Sequence, residues 1–158
     1  MRTIVVGMGV QGRKRKKYLG KDFIFSVDKF NKADYKSILD VPLRAYDTAF
    51  LCVPENQKIK LIQYCIRNKK HILVEKPLLV KSSKILVDLE KEAKKSKIIF
   101  YTAYNHRFEP NILKLKNLIE KKVLGKIYKC KIFYGNGTSY LVKKSKWRDK
   151  GSGVITDI

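Results

Sequence analysis

Histidine, cysteine and acidic residues are the scarce types in this sequence. Its 158 residues hold two histidines, His71 and His106, and three cysteines, Cys52, Cys65 and Cys130. An odd number of widely spaced cysteines with no CxxC excludes a disulfide framework, and together with two histidines it leaves no ligand set for a zinc site. No metal is expected, and each thiol reads as a small buried hydrophobe in a reducing compartment. No hydrophobic run approaches the roughly 18 residues of a membrane span. The opening MRTIVVGMGVQG is broken by glycines and lacks a charged segment followed by an apolar one, so it does not read as a secretory signal. Internal repeats and low-complexity linkers are also lacking. These absences point to a soluble, cytoplasmic chain with no membrane partner.

The balance of charge is lopsided: 36 Lys and Arg face 14 Asp and Glu, for a net +22. Such an excess attracts polyanions. Yet 29 of the 36 basic residues are lysine, scattered along the chain, whereas bidentate phosphate and base recognition favours arginine. The one dense run, Arg13 to Lys17, falls on the first turns of an expected helix. A solvated lysine-rich surface is the simpler reading, with no specific nucleic-acid partner; a basic nucleic-acid-binding protein stays open as an alternative, to be recognised by affinity that falls steeply with salt. Apolar residues make up 44% and aromatics 11%, which suits a folded globular chain rather than a disordered one.

Periodicity alternates short apolar runs with amphipathic stretches. Strands are expected at Thr3–Val6, Phe23–Val27, Thr48–Val53, His71–Val74 and Ile98–Thr102. Helices are expected at Val10–Leu19, Glu55–Asn68, from Ser82 or Ser83 onward, and from Pro110, with a short one over Asp34–Leu39. This βαβα alternation predicts an α/β fold, a Rossmann-like doubly wound parallel sheet covered by helices on both faces. After Gly125 the period changes to two, with Tyr128, Cys130, Ile132 and Tyr134 alternating with Lys129, Lys131 and Phe133. That pattern predicts a half-buried antiparallel strand and the start of a second, α+β domain. Residues 1–122 would form the first domain and 123–158 an incomplete second.

Two motifs carry chemistry. GMGVQG, with Gly7, Gly9 and Gly12 around Val10 and Gln11, follows an apolar strand and opens a helix, the setting a dinucleotide fingerprint needs. One glycine allows the turn, the next lets backbone approach a pyrophosphate, and the third lets helix and strand pack closely. Asp28 ends the second strand, sixteen residues past Gly12. A carboxylate there can accept from both ribose hydroxyls of NAD and would repel the 2′-phosphate of NADP. Lys29 beside it softens that rejection, so NADP stays open; Asp28 as a plain turn residue is the competing reading. The second motif, HILVEKP, sets Lys76 at the carboxyl end of a strand, where it could bond a substrate hydroxyl or move its proton. Glu75 could hold that lysine in place, and His71, at the strand's entry, reads as structural.

GMGVQG, LCVPE (51–55), VEKPL (74–78), YNHRFEP (104–110), Trp147-Arg148 and GSGVITD (151–157) occur in this order. On these motifs the chain resembles the Gfo/Idh/MocA oxidoreductases from end to end. The resemblance implies NAD(P)-dependent hydride transfer at a carbon of a sugar, nucleotide-sugar or cyclitol. It implies Lys76 as the catalytic-site lysine, Glu75 near the nicotinamide ribose, Asn105 near the nicotinamide, and Val53-Pro54 along the cofactor. Arg107, Trp147 and Arg148 would shape the substrate pocket, with Trp147 as a core aromatic the competing reading. Asp157 would match the acidic residue of a later active-site motif whose histidine falls four positions further on. Two departures follow from the comparison with the family pattern. The stretch from Asp28 to Thr48 is short, so the third strand is expected to be vestigial. The expected histidine lies past Ile158, so these 158 residues are expected to bind cofactor with little or no turnover, and to form a homo-oligomer only with the full C-terminal sheet. A non-catalytic dinucleotide-binding module that needs a partner polypeptide is the alternative of a different class.

Overall fold

A computed structural model describes residues 1–133 of the chain. They belong to two compact units, residues 1–103 and a second that begins at Tyr104.

The first unit is built on a five-stranded parallel sheet. Its strands are β1 (Thr3–Val6), β2 (Phe23–Val27), β3 (Thr48–Leu51), β4 (His71–Val74) and β5 (Phe100–Thr102), in the spatial order β2-β1-β3-β4-β5. Helices α1 (Val10–Leu19), α2 (Glu55–Arg67) and α3 (Ser83–Lys95) lie in the crossovers. Thr-Ile-Val-Val of β1 is buried at all four positions, as a central strand covered on both faces requires. The path steps from β1 to β2 on one side, then returns past β1 to β3, β4 and β5 on the other. Right-handed crossovers therefore put α1 on one face and α2 and α3 on the opposite one. The core between them gathers Ile4, Val6, Leu51, Val74, Ile62 and Leu89, with Tyr46 and Cys65 fully enclosed.

The strand expected in the short stretch between β2 and β3 is vestigial. A single parallel bridge joins Tyr35 to Val27, held by the Tyr35 N–H on Ser26 O (3.1 Å) and the Asp28 N–H on Tyr35 O (3.0 Å). Asp34 Oδ2 adds bonds from the Ser26 N–H (2.8 Å) and Oγ (2.6 Å). This pairing is why the helix expected over Asp34–Leu39 does not form: Asp34 and Tyr35 are engaged with β2. Two short 3₁₀ turns follow, Ile38–Asp40, closed by a capping box between Ser37 and Asp40, and Leu43–Ala45. Ser82, the expected cap, accepts the Lys84 N–H and starts α3.

In the second unit a 3₁₀ turn, Asn105–Phe108, precedes α4 (Pro110–Glu120), with Pro110 in its first turn. The strand expected around Tyr128–Tyr134 is corrected. Residues 127–133 carry no strand, and Tyr134 lies outside the described residues. Alternation alone does not make a strand; it needs a hydrogen-bonded neighbour, and among the described residues none runs beside it. Cys130 in this stretch is exposed, not buried as expected, while Cys65 is buried and Cys52 half-buried.

Candidate cofactor site

The strand register decides where the sequence motifs meet. Val27 pairs with Val6, Val6 with Leu51, Leu51 with Val74 and Val74 with Thr102, so all five strands end level. The residues immediately beyond, Asp28, Gly7, Cys52 and Glu75, share that carboxyl edge. The winding reverses between β1 and β3, and in open α/β sheets the crevice at such a reversal is where ligands bind.

Gly7 sits in that crevice with φ +93°, and a Cβ there would lie 2.3 Å from the carbonyl oxygen of Cys52. Glycine is therefore required both by conformation and by the approach of β3. Gly12, inside α1, is buried against the loop: a Cβ on it would stand 1.8 Å from Gly7 O. Gly9, the N-cap residue, has nothing within 4 Å of its Cβ position, so its face is open. No side chain caps α1 and its first turn holds no acid; Val10 and Gln11 there are exposed. A helix start left in this state favours an anion.

Asp28 accepts four hydrogen bonds. Oδ2 takes the Met8 N–H (2.6 Å) and Asn31 Nδ2 (3.1 Å); Oδ1 takes the N–H groups of Phe30 (2.8 Å) and Asn31 (2.7 Å). Burial on its own would raise the carboxyl's pKa, but the Asn31, Met8 and Phe30 N–H groups and the Asn31 amide outweigh it and hold it at about 2. Asp28 thus ties its own turn and the glycine loop at once, as a carboxylate ionised at neutral pH. Val53 lies against Gly7, and Pro54 is the N-cap residue of α2.

Glu75 donates its N–H to Leu51 O (2.9 Å), and its Oε1 accepts Arg15 Nε of α1 at 2.6 Å. Lys76 follows, half-buried, in a cis peptide with Pro77. Between these groups Cys52 is inert, its thiol pushed up to about 12 by burial and the nearby Glu75 carboxylate, against the opposing pull of Arg15 and Lys58. His71 is structural: Nδ1 accepts the Ile99 N–H at 2.9 Å, fixing the start of the β4–β5 pairing. Asn105 and Arg107 are exposed on the 3₁₀ turn of the second unit. Trp147, Arg148 and Asp157 lie outside the described residues. The structure therefore gathers Gly7, Gly9, Val10, Gln11, Gly12, Asp28, Val53, Pro54, Glu75 and Lys76 along one edge.

Three participants were missed from sequence: Arg15, Asn31 and Lys58. Only Lys58 carried a signal. It falls four residues before Ile62 and seven before Cys65, on the buried stripe of α2, and a charge on a buried stripe demands a partner. Among the described residues there is no cluster of three metal-ligating side chains, and no helix long and apolar enough to cross a membrane.

The family model of an oxidoreductase family with an NAD-binding Rossmann fold, Gfo/Idh/MocA, matches residues 10–102. The chain belongs to the Gfo/Idh/MocA family. It is 35% identical over 89 residues to the myo-inositol 2-dehydrogenase of Thermotoga maritima, a match covering 54% of this chain and 25% of that enzyme. Among solved structures, the WlbA dehydrogenase of Chromobacterium violaceum, determined with NADH and UDP-GlcNAcA, superposes with a TM-score of 0.68 at 21% identity, over 81% of this chain and 42% of that one. A probable dehydrogenase from Thermotoga maritima gives 0.64 at 27% identity, over 80% and 43%. The chain spans between 25% and 29% of the length of the curated relatives it matches. Within that span lies the family's NAD-binding Rossmann unit, and its residues fit the cofactor: an uncapped helix start, an open face at Gly9 and an ionised Asp28.

Proposed function

We propose that this chain carries the cofactor half of a cytoplasmic NAD-dependent dehydrogenase acting on a secondary alcohol of a sugar, nucleotide-sugar or cyclitol. The observation that supports it most directly is the level carboxyl edge, which brings the glycine loop, an ionised Asp28 and the Glu75–Lys76 turn to one crevice. NAD, when bound, supplies the hydride acceptor.

The start of α1 binds the pyrophosphate through its free N–H groups, with Gly9 leaving room for it. Asp28 takes the ribose hydroxyls of the adenosine end, where the Asn31 amide, the longest of its four bonds, is the one to give way. Its fixed negative charge disfavours a 2′-phosphate and so selects NAD over NADP. Val53-Pro54 line the cofactor, Glu75 and Asn105 orient the nicotinamide end, and Lys76 holds or moves the proton of the substrate hydroxyl. Residues 123–158 open the substrate domain, to which Arg107, Trp147, Arg148 and Asp157 contribute.

The test is a titration of the purified chain with NADH and NADPH, followed by nicotinamide fluorescence at low and moderate salt. Saturable NADH binding that persists in salt and drops at least about tenfold in Asp28→Ala is expected, the size of one or two lost charge-assisted bonds. A folded chain that binds neither dinucleotide overturns the reading, and binding that vanishes with salt assigns the affinity to bulk charge.

A further inference from the structure

We propose that Lys58 and Glu55, on the first turn of α2, are positioning residues that clamp the turn carrying Lys76. Lys58 is only 2% exposed. Its ammonium donates to Glu55 Oε2 at 2.7 Å and to the carbonyl oxygen of Pro77. The other oxygen of the same carboxylate, Glu55 Oε1, accepts the Leu79 N–H at 2.6 Å. Two side chains one helical turn apart therefore fasten the backbone one and three residues beyond Lys76. On the near side, Glu75 is held to β3 by its N–H and to α1 through Arg15. Lys76 is the residue between these two anchorages.

A surface ion pair at this spacing contributes little, but here the Lys58 ammonium is enclosed while the Glu55 carboxylate stays about one-third exposed. An ammonium so enclosed stays charged only where acceptors surround it, and a buried pair adds little stability over apolar residues of the same shape. What such a pair provides is a defined geometry, and the geometry it defines here is that of the Pro77–Leu79 backbone. Neither side chain reaches the glycine loop or Asp28 through any of these bonds. The clamp therefore acts on the nicotinamide end of the site and leaves the adenosine end alone. This inference rests on the reading above, in which Glu75 and Lys76 serve that end.

The experiment compares the full chain with Lys58→Met and Glu55→Gln, by amide hydrogen exchange and by titration with NADH and with ADP. ADP reports on the glycine loop and Asp28 only. In both variants the Leu79 amide is expected to exchange about tenfold faster or more, while Ile62 to Ile66 of α2 keep their protection. NADH affinity is expected to fall about tenfold with ADP affinity unchanged, the size of a lost bond to a charged group. A merely structural role would weaken NADH and ADP together, and that result overturns the proposal. So does unchanged exchange at Leu79, or faster exchange there with unchanged NADH affinity. Should Lys58→Met fail to fold, Glu55→Gln, which keeps the volume, carries the same comparison. If the unmodified chain binds neither NADH nor ADP, the cofactor reading has failed; the exchange arm still decides the clamp, loss of protection upholding it and retained protection overturning it.

Discussion

Asp28 faces two ways, toward its own turn and toward the glycine loop, and its acidity follows from that. Its carboxyl is held at about 2, against roughly 3.9 for an unstructured aspartate. A carboxylate with a lowered folded-state pKa adds stability that is complete above the unfolded value and lost as pH falls through the folded one. Its contribution is therefore present at pH 5 and disappears between about pH 4 and pH 2. Asp28→Asn should lower the melting temperature at pH 5, and the gap to the parent chain should close as the pH is brought down to 2. Thermal unfolding of both proteins across that range checks it; a gap independent of pH would mean that the amide, and not the lost charge, is responsible. The position of Asp28 was legible because it ends a strand at a set distance from the glycines. Its partner Asn31 was not, since a loop asparagine has no periodicity to betray it.

The strand–loop–helix element shows three glycines doing different things. Gly12 is packed against Gly7 O, where a Cβ would stand at 1.8 Å, and Gly9 faces open space. Gly12→Ala is expected to cost about 1–3 kcal/mol or more of stability, because backbone must move to admit the methyl group. Gly9→Ala should cost at most about 1 kcal/mol, the loss of a favourable N-cap residue, yet weaken NADH binding by crowding the approach. Denaturant unfolding and NADH titration on the two variants separate the effects: Gly12→Ala changes stability first, Gly9→Ala changes binding first. The core strands and the helices α2 and α3 were readable because burial on both faces and a helical stripe leave strong periodic marks; α1, which buries only Gly12, was readable from the glycine motif that opens it. The strand expected near Tyr128 left the same mark and is not formed, since pairing is a property of two segments and a sequence displays them one at a time. The helix expected at Asp34–Leu39 failed for the complementary reason: Tyr35 finds a partner in β2 that local propensity does not reveal.

At the scale of the whole molecule, motifs dispersed over some seventy residues become one site only because five strands end level. The fingerprint and the EKP turn were each visible as sequence; the ion pair from Arg15 to Glu75 that links them across the crevice was not, because it joins residues sixty positions apart. The same holds for Lys58 and the Pro77–Leu79 backbone.

The one-residue bridge at Tyr35 has a consequence of a different kind. Beyond β2 the sheet simply stops: from Phe23 to Phe25 no strand among the described residues continues it, so backbone N–H and C=O groups are presented along an outer border. A border like that is a template for a second molecule to add to. Lysines guard it. Lys16 lies over the Phe23 ring at 4.4 Å, and Lys21, Lys29, Lys32 and Lys36 flank the strand in sequence. The net charge of +22 thereby acts as colloidal protection, keeping like borders apart by repulsion. Raising the salt from about 0.05 to 1 M shortens the screening length to about 3 Å, and dynamic light scattering should then record growth of associated species. Lys29→Glu/Lys32→Glu should show that growth at lower salt, as expected if these lysines keep the border from pairing with a second copy.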